Sequence, residues 1–230
     1  MAELVQIVRR HEQTMKGKDG KKLDKPTPEG VAAAYKRGID LREQYPDHEF
    51  RGQYSDKMRT RIALDAWLHG ADASDASRYV DKSLNPPGLD KDVLDKIRNT
   101  DDVTAQRELL YNQGTDEVTR AGAACAFWIF NNLNKYFETK EPLDDRVEIK
   151  ISSAPNVEAA YLIMRDIPVT FDNVRDYAGF CEEGHGFDVI SNQNTAQIEL
   201  VNQHGSEILD FSVVEKGYEN AVKYLTRDKG

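Results

Sequence analysis

Residues Leu4-Val5-Gln6-Ile7-Val8 form a short apolar run rich in β-branched side chains, and the run stops abruptly at Arg9-Arg10-His11. Such a run reads as a buried strand. The abrupt switch to two arginines and a histidine narrows the choice of fold. In open α/β sheets, ligands sit just beyond the carboxyl ends of the strands, so Arg10 and His11 are expected at a ligand site rather than in a core. A guanidinium holds phosphoryl oxygens in a bidentate fork, and an imidazole can attack phosphorus. The pair suits chemistry on a phosphate.

The rest of the chain is compatible with one large α/β domain. Its 230 residues suffice for a substantial core, and no internal repeat, low-complexity segment or linker divides residues 1–230. A net charge of -9 argues against nucleic acid as a partner, although a local cluster of Arg and Lys can still receive a small anion. No apolar run approaches the roughly 20 residues that span a bilayer, and no signal peptide precedes the first strand. Cys125 and Cys181 make neither a metal-ligand spacing nor a disulfide framework. A cytoplasmic protein without a membrane partner is the expectation.

Further along, Met15 to Lys25 is polar and lysine-rich, which reads either as a solvated loop or as a loop that folds Lys16 or Lys18 over a phosphate at His11. Thr27-Pro28 predicts a helix start, with Thr27 as N-cap and Pro28 in the first turn. Ala34, Gly38, Leu41 and Tyr45 then share one stripe, which should pack on a sheet. Phe50–Tyr54 is a strand that runs into the helix carrying Arg59; Arg61 faces elsewhere, as a surface or ion-pair residue. Arg78–Val80 is another strand, and Lys91–Tyr111 reads as charged helix. The helix from Thr115 to near Phe137 should bring a small-residue face close to a sheet, with Phe127, Phe130 and Leu133 in the core and Cys125 as a small buried hydrophobe. Val147–Ser153 alternates as a strand, and Val157–Met164 is helical. Cys181–Asp188 reads as a loop. A hairpin with strands over Thr195–Val201 and Glu207–Val213 precedes a last helix, Glu215–Leu225.

The opening strand-Arg-His resembles the histidine phosphatase, or phosphoglycerate-mutase-like, superfamily, whose members begin with a strand followed by Arg-His-Gly-Glu; here Glu12 follows His11 directly. Leu23 to Gly30, Leu-Asp-Lys-Pro-Thr-Pro-Glu-Gly, is similar to the family's Leu-Thr-Pro-Glu-Gly segment in stretched form. Ser55, Arg59 and Thr60 match its Ser-x-x-x-Arg-(Ala/Thr) pattern after a strand. The resemblance implies a three-layer αβα fold with a mostly parallel, doubly wound sheet and a partial helical cap around residues 83–115. It also implies phosphoryl transfer through a phosphohistidine on His11, with Arg10 and Arg59 holding the phosphoryl oxygens and Lys16 and Ser55 at the substrate. The substrate would be a small phosphorylated molecule. No metal or organic cofactor is implied, because arginines supply the charge stabilisation. Hydrolysis is the expected outcome rather than mutase transfer; oligomeric state is open.

Two departures bear on catalysis. Where the family has Val-x-Ser-His-Gly, this chain places Ser153 at the second catalytic histidine's position and Ala154 at the glycine's. Asn85 stands where a glutamate would act as the general acid. Either His185, flanked by Gly184 and Gly186, enters the site from its own loop, with Glu182, Glu183 or Asp188 orienting it or serving as acid, or the site is degenerate. A degenerate site would bind a phosphorylated ligand or protein partner without turning it over. Glu-Glu-Gly-His also raises a metal site, but no second histidine stands at ligand spacing. An unrelated doubly wound protein would not bring Arg10, His11 and Arg59 together in space.

Overall fold

The computed structural model of the chain describes residues 3–18, 22–139 and 144–227. The first strand, β1 (Glu3–Arg10), alternates its side chains between two hydrophobic layers. Val5 and Ile7 face one layer, and Leu4 and Val8 the other. A strand buried on both faces belongs in the middle of a sheet, and β1 lies there in a seven-stranded sheet of order β5-β4-β6-β1-β7-β8-β9. β4 (Glu49–Tyr54), β5 (Arg78–Val80) and β6 (Arg146–Ser152) form the parallel half with β1. β7 (Gly186–Asn192), β8 (Gln197–Asn202) and β9 (Gly205–Leu209) close the other side as an antiparallel meander. The sheet is therefore mixed, with β7 and β9 running against the other five strands.

Helices cover both faces, which makes the expected three layers. On one side lie α1 (Pro28–Gln44) and α2 (Met58–Gly70) over Val5, Ile7, Val147, Ile149 and Ile151. α1 starts as its sequence predicts: the Gly30 amide donates to Thr27 Oγ1 at 3.0 Å. Its small-residue stripe meets α2 as well as the sheet, because a Cβ at Gly38 would lie 2.0 Å from the Trp67 carbonyl oxygen. Between β5 and β6 run α3 (Lys91–Arg98), α4 (Val103–Gln113) and α5 (Thr115–Glu138). After β6 come α6 (Ala154–Met164), the single turn α7 (Phe171–Asn173) and a π-helical turn over Val174–Ala178. The chain ends in α8 (Phe211–Thr226). α5, α6 and α8 form the second helical layer.

Four expectations need correction. The small-residue face of α5 meets a helix, not the sheet: Gly122 sits directly against Ala159 of α6. The segment Met15–Lys25 is not a loop throughout, since β2 (Thr14–Lys16) pairs antiparallel with β3 (Lys22–Pro26) as a separate two-stranded ribbon; its residues 19–21 lie outside the described residues. The stretch after Cys181 is loop only as far as His185, where β7 begins, and the last helix starts at Phe211 because Asp210 accepts the Ser212 amide at 2.8 Å. Among the described residues no helix is long and apolar enough to cross a membrane.

A Cβ at Gly122 would stand 2.3 Å from Ala159 Cβ and 2.9 Å from the Ala159 carbonyl carbon. Overpacking of this kind costs about 1–3 kcal/mol. Gly122→Val is therefore expected to lower the midpoint of chemical denaturation clearly, despite its gain in helix propensity; an unchanged midpoint would refute this helix contact.

Candidate functional site

The carboxyl ends of β1, β4 and β6 lie side by side, because Arg10 pairs with Ser152 across one parallel ladder and Tyr54 with Ile151 across the next. One residue further on, the His11 amide donates to the Ser152 carbonyl at 2.9 Å. His11 and Ser153 thus leave the sheet together. The His11 ring is fixed by a hydrogen bond of 2.8 Å between Nδ1 and the Glu12 carbonyl oxygen. A carbonyl can only accept, so Nδ1 carries the proton and Nε2 of the neutral ring keeps its lone pair. Loss of water around the ring pushes its pKa down to about 4; the bond to Glu12 opposes this, and the charges of Arg59, Arg10 and Lys22 add to it. The imidazole is therefore neutral at neutral pH, with Nε2 unprotonated among three cations.

Each cation comes from a different element. Arg10, at the end of β1, donates through Nη1 to the Cys181 carbonyl at 2.7 Å and through Nη2 to Glu183 Oε1 at 3.0 Å. Arg59, in the first turn of α2, donates through Nη1 to Asp24 Oδ1 at 3.1 Å, while its buried Nε has no partner among the described residues. Asp24 also accepts the Met58 amide at 2.9 Å, so one carboxylate of the β2–β3 ribbon serves both the helix start and the guanidinium. Lys22, on β3, is held below the usual lysine range first by burial and then by Arg10, with Glu183 opposing and Lys16 and Arg59 adding to the shift.

Arg10, His11 and Arg59 are brought together; the other residues singled out from sequence fare differently. Lys16 and Lys22 pair across the ribbon and both are exposed, and of the two it is Lys22 whose charge acts on the His11 ring. The sequence offered no mark to distinguish Lys22 from its neighbouring lysines. Ser55 is buried, with Oγ 2.9 Å from Thr60 Oγ1, and Thr60 in turn donates to the Lys57 carbonyl. Its hydroxyl is thus spent on the first turn of α2. Ser153 stands beside the His11 backbone, where its Oγ donates to Asn156 Oδ1 at 3.2 Å. Asn85 accepts the Asp56 amide through Oδ1 at 2.9 Å and the Asn156 side chain through its carbonyl at 2.6 Å, tying the β4 and β6 ends together. The His185 ring is exposed, 3.8 Å from Glu182, and makes no described contact with His11; its carbonyl instead accepts the Arg10 amide. Asp188 is taken by Arg9 at 2.6 Å. Arg61 forms a surface ion pair with Asp65, as its offset from Arg59 predicts.

Glu12, which follows His11 directly, is turned into the protein. It is 3% exposed and paired at 2.7 Å with Arg37 of α1. Burial raises its pKa, which Arg37 and the Trp67 side chain pull back down.

No protein-family model matches the sequence, and no curated protein matches it. Solved structures do resemble it. Phosphoglycerate mutase from Bacillus anthracis str. Sterne is 13% identical, with a TM-score of 0.53 over 94% of this chain and 97% of that one. Mycobacterial glucosyl-3-phosphoglycerate phosphatase is 16% identical, with a TM-score of 0.55 over 91% and 97% of the two chains. A mycobacterial hydrolase reaches 0.56 at 16% identity over 95% and 97%.

The depressed pKa of His11 has a sign that can be tested. Unfolded, the ring takes up its proton near pH 6.5; folded, only near pH 4. Between these values the unfolded chain binds more protons, so the His11 contribution to stability is present above pH 6.5 and is lost as the pH falls towards 4. Thermal melts of wild type and His11→Gln are expected to diverge in that window, the wild type losing more stability; parallel curves would show that the ring is not held neutral. The resemblance first visible in Arg10-His11 and Ser55–Thr60 extends to the architecture: the fold of this chain is like that of phosphoglycerate mutase and of the mycobacterial phosphatase.

Proposed function

We propose that the protein is a phosphomonoesterase that works through a phosphohistidine on His11. The observation that carries this reading is the His11 ring itself, locked by its Nδ1–H bond so that an unprotonated Nε2 stands among Arg10, Arg59 and Lys22. Nε2 attacks phosphorus, the bond from phosphorus to the ester oxygen breaks, and water then cleaves the phosphohistidine to release inorganic phosphate. The three cations offset the charge on the phosphoryl oxygens. Because Arg10 and Arg59 are held in place beforehand, little reorganisation of the guanidiniums is needed as the reaction proceeds. Arrival of a phosphoryl group would compete with Asp24 for Arg59 and with Glu183 for Arg10, which relieves the repulsion among the cations.

A second reading is favoured by a specific observation. Among the described residues, the carboxylates that contact this cation cluster are Glu183 and Asp24, and each is engaged by an arginine. Ser153 brings no charge to the place beside His11. A protein so equipped would bind a phosphorylated ligand well and protonate a leaving alkoxide poorly.

The two readings separate on leaving groups. p-Nitrophenolate departs without a proton, whereas an alkoxide needs one. The expected result is hydrolysis of p-nitrophenyl phosphate that far exceeds that of a simple alkyl phosphate, with loss of roughly 100-fold or more in His11→Ala and an acid-labile phosphoenzyme in the wild type. Lys22→Ala and Arg59→Ala should each weaken inorganic phosphate binding. Tight phosphate binding with no turnover of either ester would establish the binding protein; equal turnover in wild type and His11→Ala would remove the covalent mechanism.

A further inference from the structure

Outside the cation cluster, the carboxylate of Glu158, on α6, is buried to 1% exposure. Removing a carboxylate from water this far is costly unless every lone pair finds a donor. Four donor contacts converge on it. Arg107 of α4 reaches Oε1 at 2.7 Å and Oε2 at 2.6 Å through Nη1, the Tyr111 hydroxyl donates to Oε2, and the Cys181 amide donates to Oε1 at 2.8 Å. Arg107 and Tyr111 belong to the segment after β5, whereas Cys181 opens the loop that runs into β7. One carboxylate therefore joins three parts of the chain that share no sheet hydrogen bonds.

The same loop is what holds Arg10. The Cys181 carbonyl and the Glu183 carboxylate accept from the Arg10 guanidinium, the Cys181 thiol donates to the His185 carbonyl at 2.9 Å, and the Gly184 amide donates to the Arg10 carbonyl at 3.1 Å. Gly184 has φ 74° and lies against the Arg37 guanidinium, where a Cβ would come within 2.4 Å of Cζ. The loop is thus pinned by Arg37 at its centre and by Glu158 at its start. The amide of Cys181 is fixed by Glu158, and its carbonyl fixes Arg10.

We propose that Glu158 is a positioning residue for Arg10, and that the docking of α4 through Arg107 and Tyr111 sets how well the guanidinium is aimed at a phosphate. The proposal rests on the reading of Arg10 as a phosphate ligand. Glu158 does not itself touch the phosphate; it acts through the Cys181 peptide. Its effect should therefore vanish when Arg10 is absent, whereas a purely structural role would lower stability and leave phosphate affinity alone.

The test is a calorimetric titration with inorganic phosphate of wild type, Arg10→Ala, Glu158→Gln and the double variant, with melting temperatures measured alongside. Glu158→Gln is expected to weaken phosphate binding roughly tenfold, about the worth of one hydrogen bond to a charged group, and to cause no further loss in the Arg10→Ala background. Wild-type affinity in folded Glu158→Gln, or an equal loss with and without Arg10, overturns the proposal. Unchanged affinity in Arg10→Ala alone overturns the reading of Arg10 as well, and is distinguishable from the other two outcomes. Should Glu158→Gln not fold, Tyr111→Phe removes only one hydroxyl from the carboxylate. Weaker phosphate binding in that variant supports the same chain of contacts, and unchanged binding overturns it.

Discussion

Three cations gathered around one imidazole repel each other, and much of the architecture beside β1 serves to hold them there. The restraint is mostly hydrogen bonding from the backbone and from carboxylates. Arg10 is gripped by the Cys181 carbonyl and Glu183, Arg59 by Asp24, and the His11 ring by the Glu12 carbonyl. Each of these partners is itself fixed elsewhere: Cys181 by Glu158, Asp24 by the amides that start α2, Glu12 by Arg37. Both guanidiniums of the cluster are thus neutralised locally, each by a carboxylate. Such preorganisation favours a dianion over water, because the cost of assembling the charges has been met by folding.

The parts of this site visible in the sequence are those governed by local rules. β1 announces itself by its apolar run and β6 by its alternation, in which Val147, Ile149 and Ile151 share one face, so that a slip of one residue would put Glu148 and Lys150 into that layer. Once they are parallel neighbours, Arg10, His11 and Ser153 must emerge together. The start of α1 was legible for a similar reason, since Thr27 and Pro28 act within their own turn. The features that stayed hidden depend on partners far away in the chain. Lys22 looks like any lysine of a polar segment until the β2–β3 ribbon brings its charge to bear on His11. β7 carries a clean alternation from Phe187 onwards, but its first residue comes after a histidine in a glycine-flanked stretch that reads as loop, and only pairing with β1 makes it strand.

Ser55 and Glu12 illustrate the converse. Both are polar residues at strand ends, where ligands sit, and both are consumed internally. Ser55 closes the first turn of α2 through Thr60, and Glu12 is the buried partner of Arg37. A motif fixes where a residue emerges from the sheet; whether its side chain faces the ligand depends on donors supplied by other elements. The likeness in fold to phosphoglycerate mutase and to the mycobacterial phosphatase, at identities of 13% and 16%, is consistent with this. The layered frame tolerates nearly complete replacement of its sequence, while the polar fittings at the strand ends are worked out afresh.

The two rims of the sheet carry a consequence of their own. β5 spans only three residues, and Arg78 at its start is held by Asp65 at 2.8 Å; β9 spans five and stops at the Asp210 cap. A rim this short offers few unpaired amides and carbonyls to the backbone of another molecule, which is how β proteins avoid growing into fibres. With a net charge of -9 adding mutual repulsion, the molecule combines a broad seven-stranded sheet with margins that discourage edge-to-edge growth.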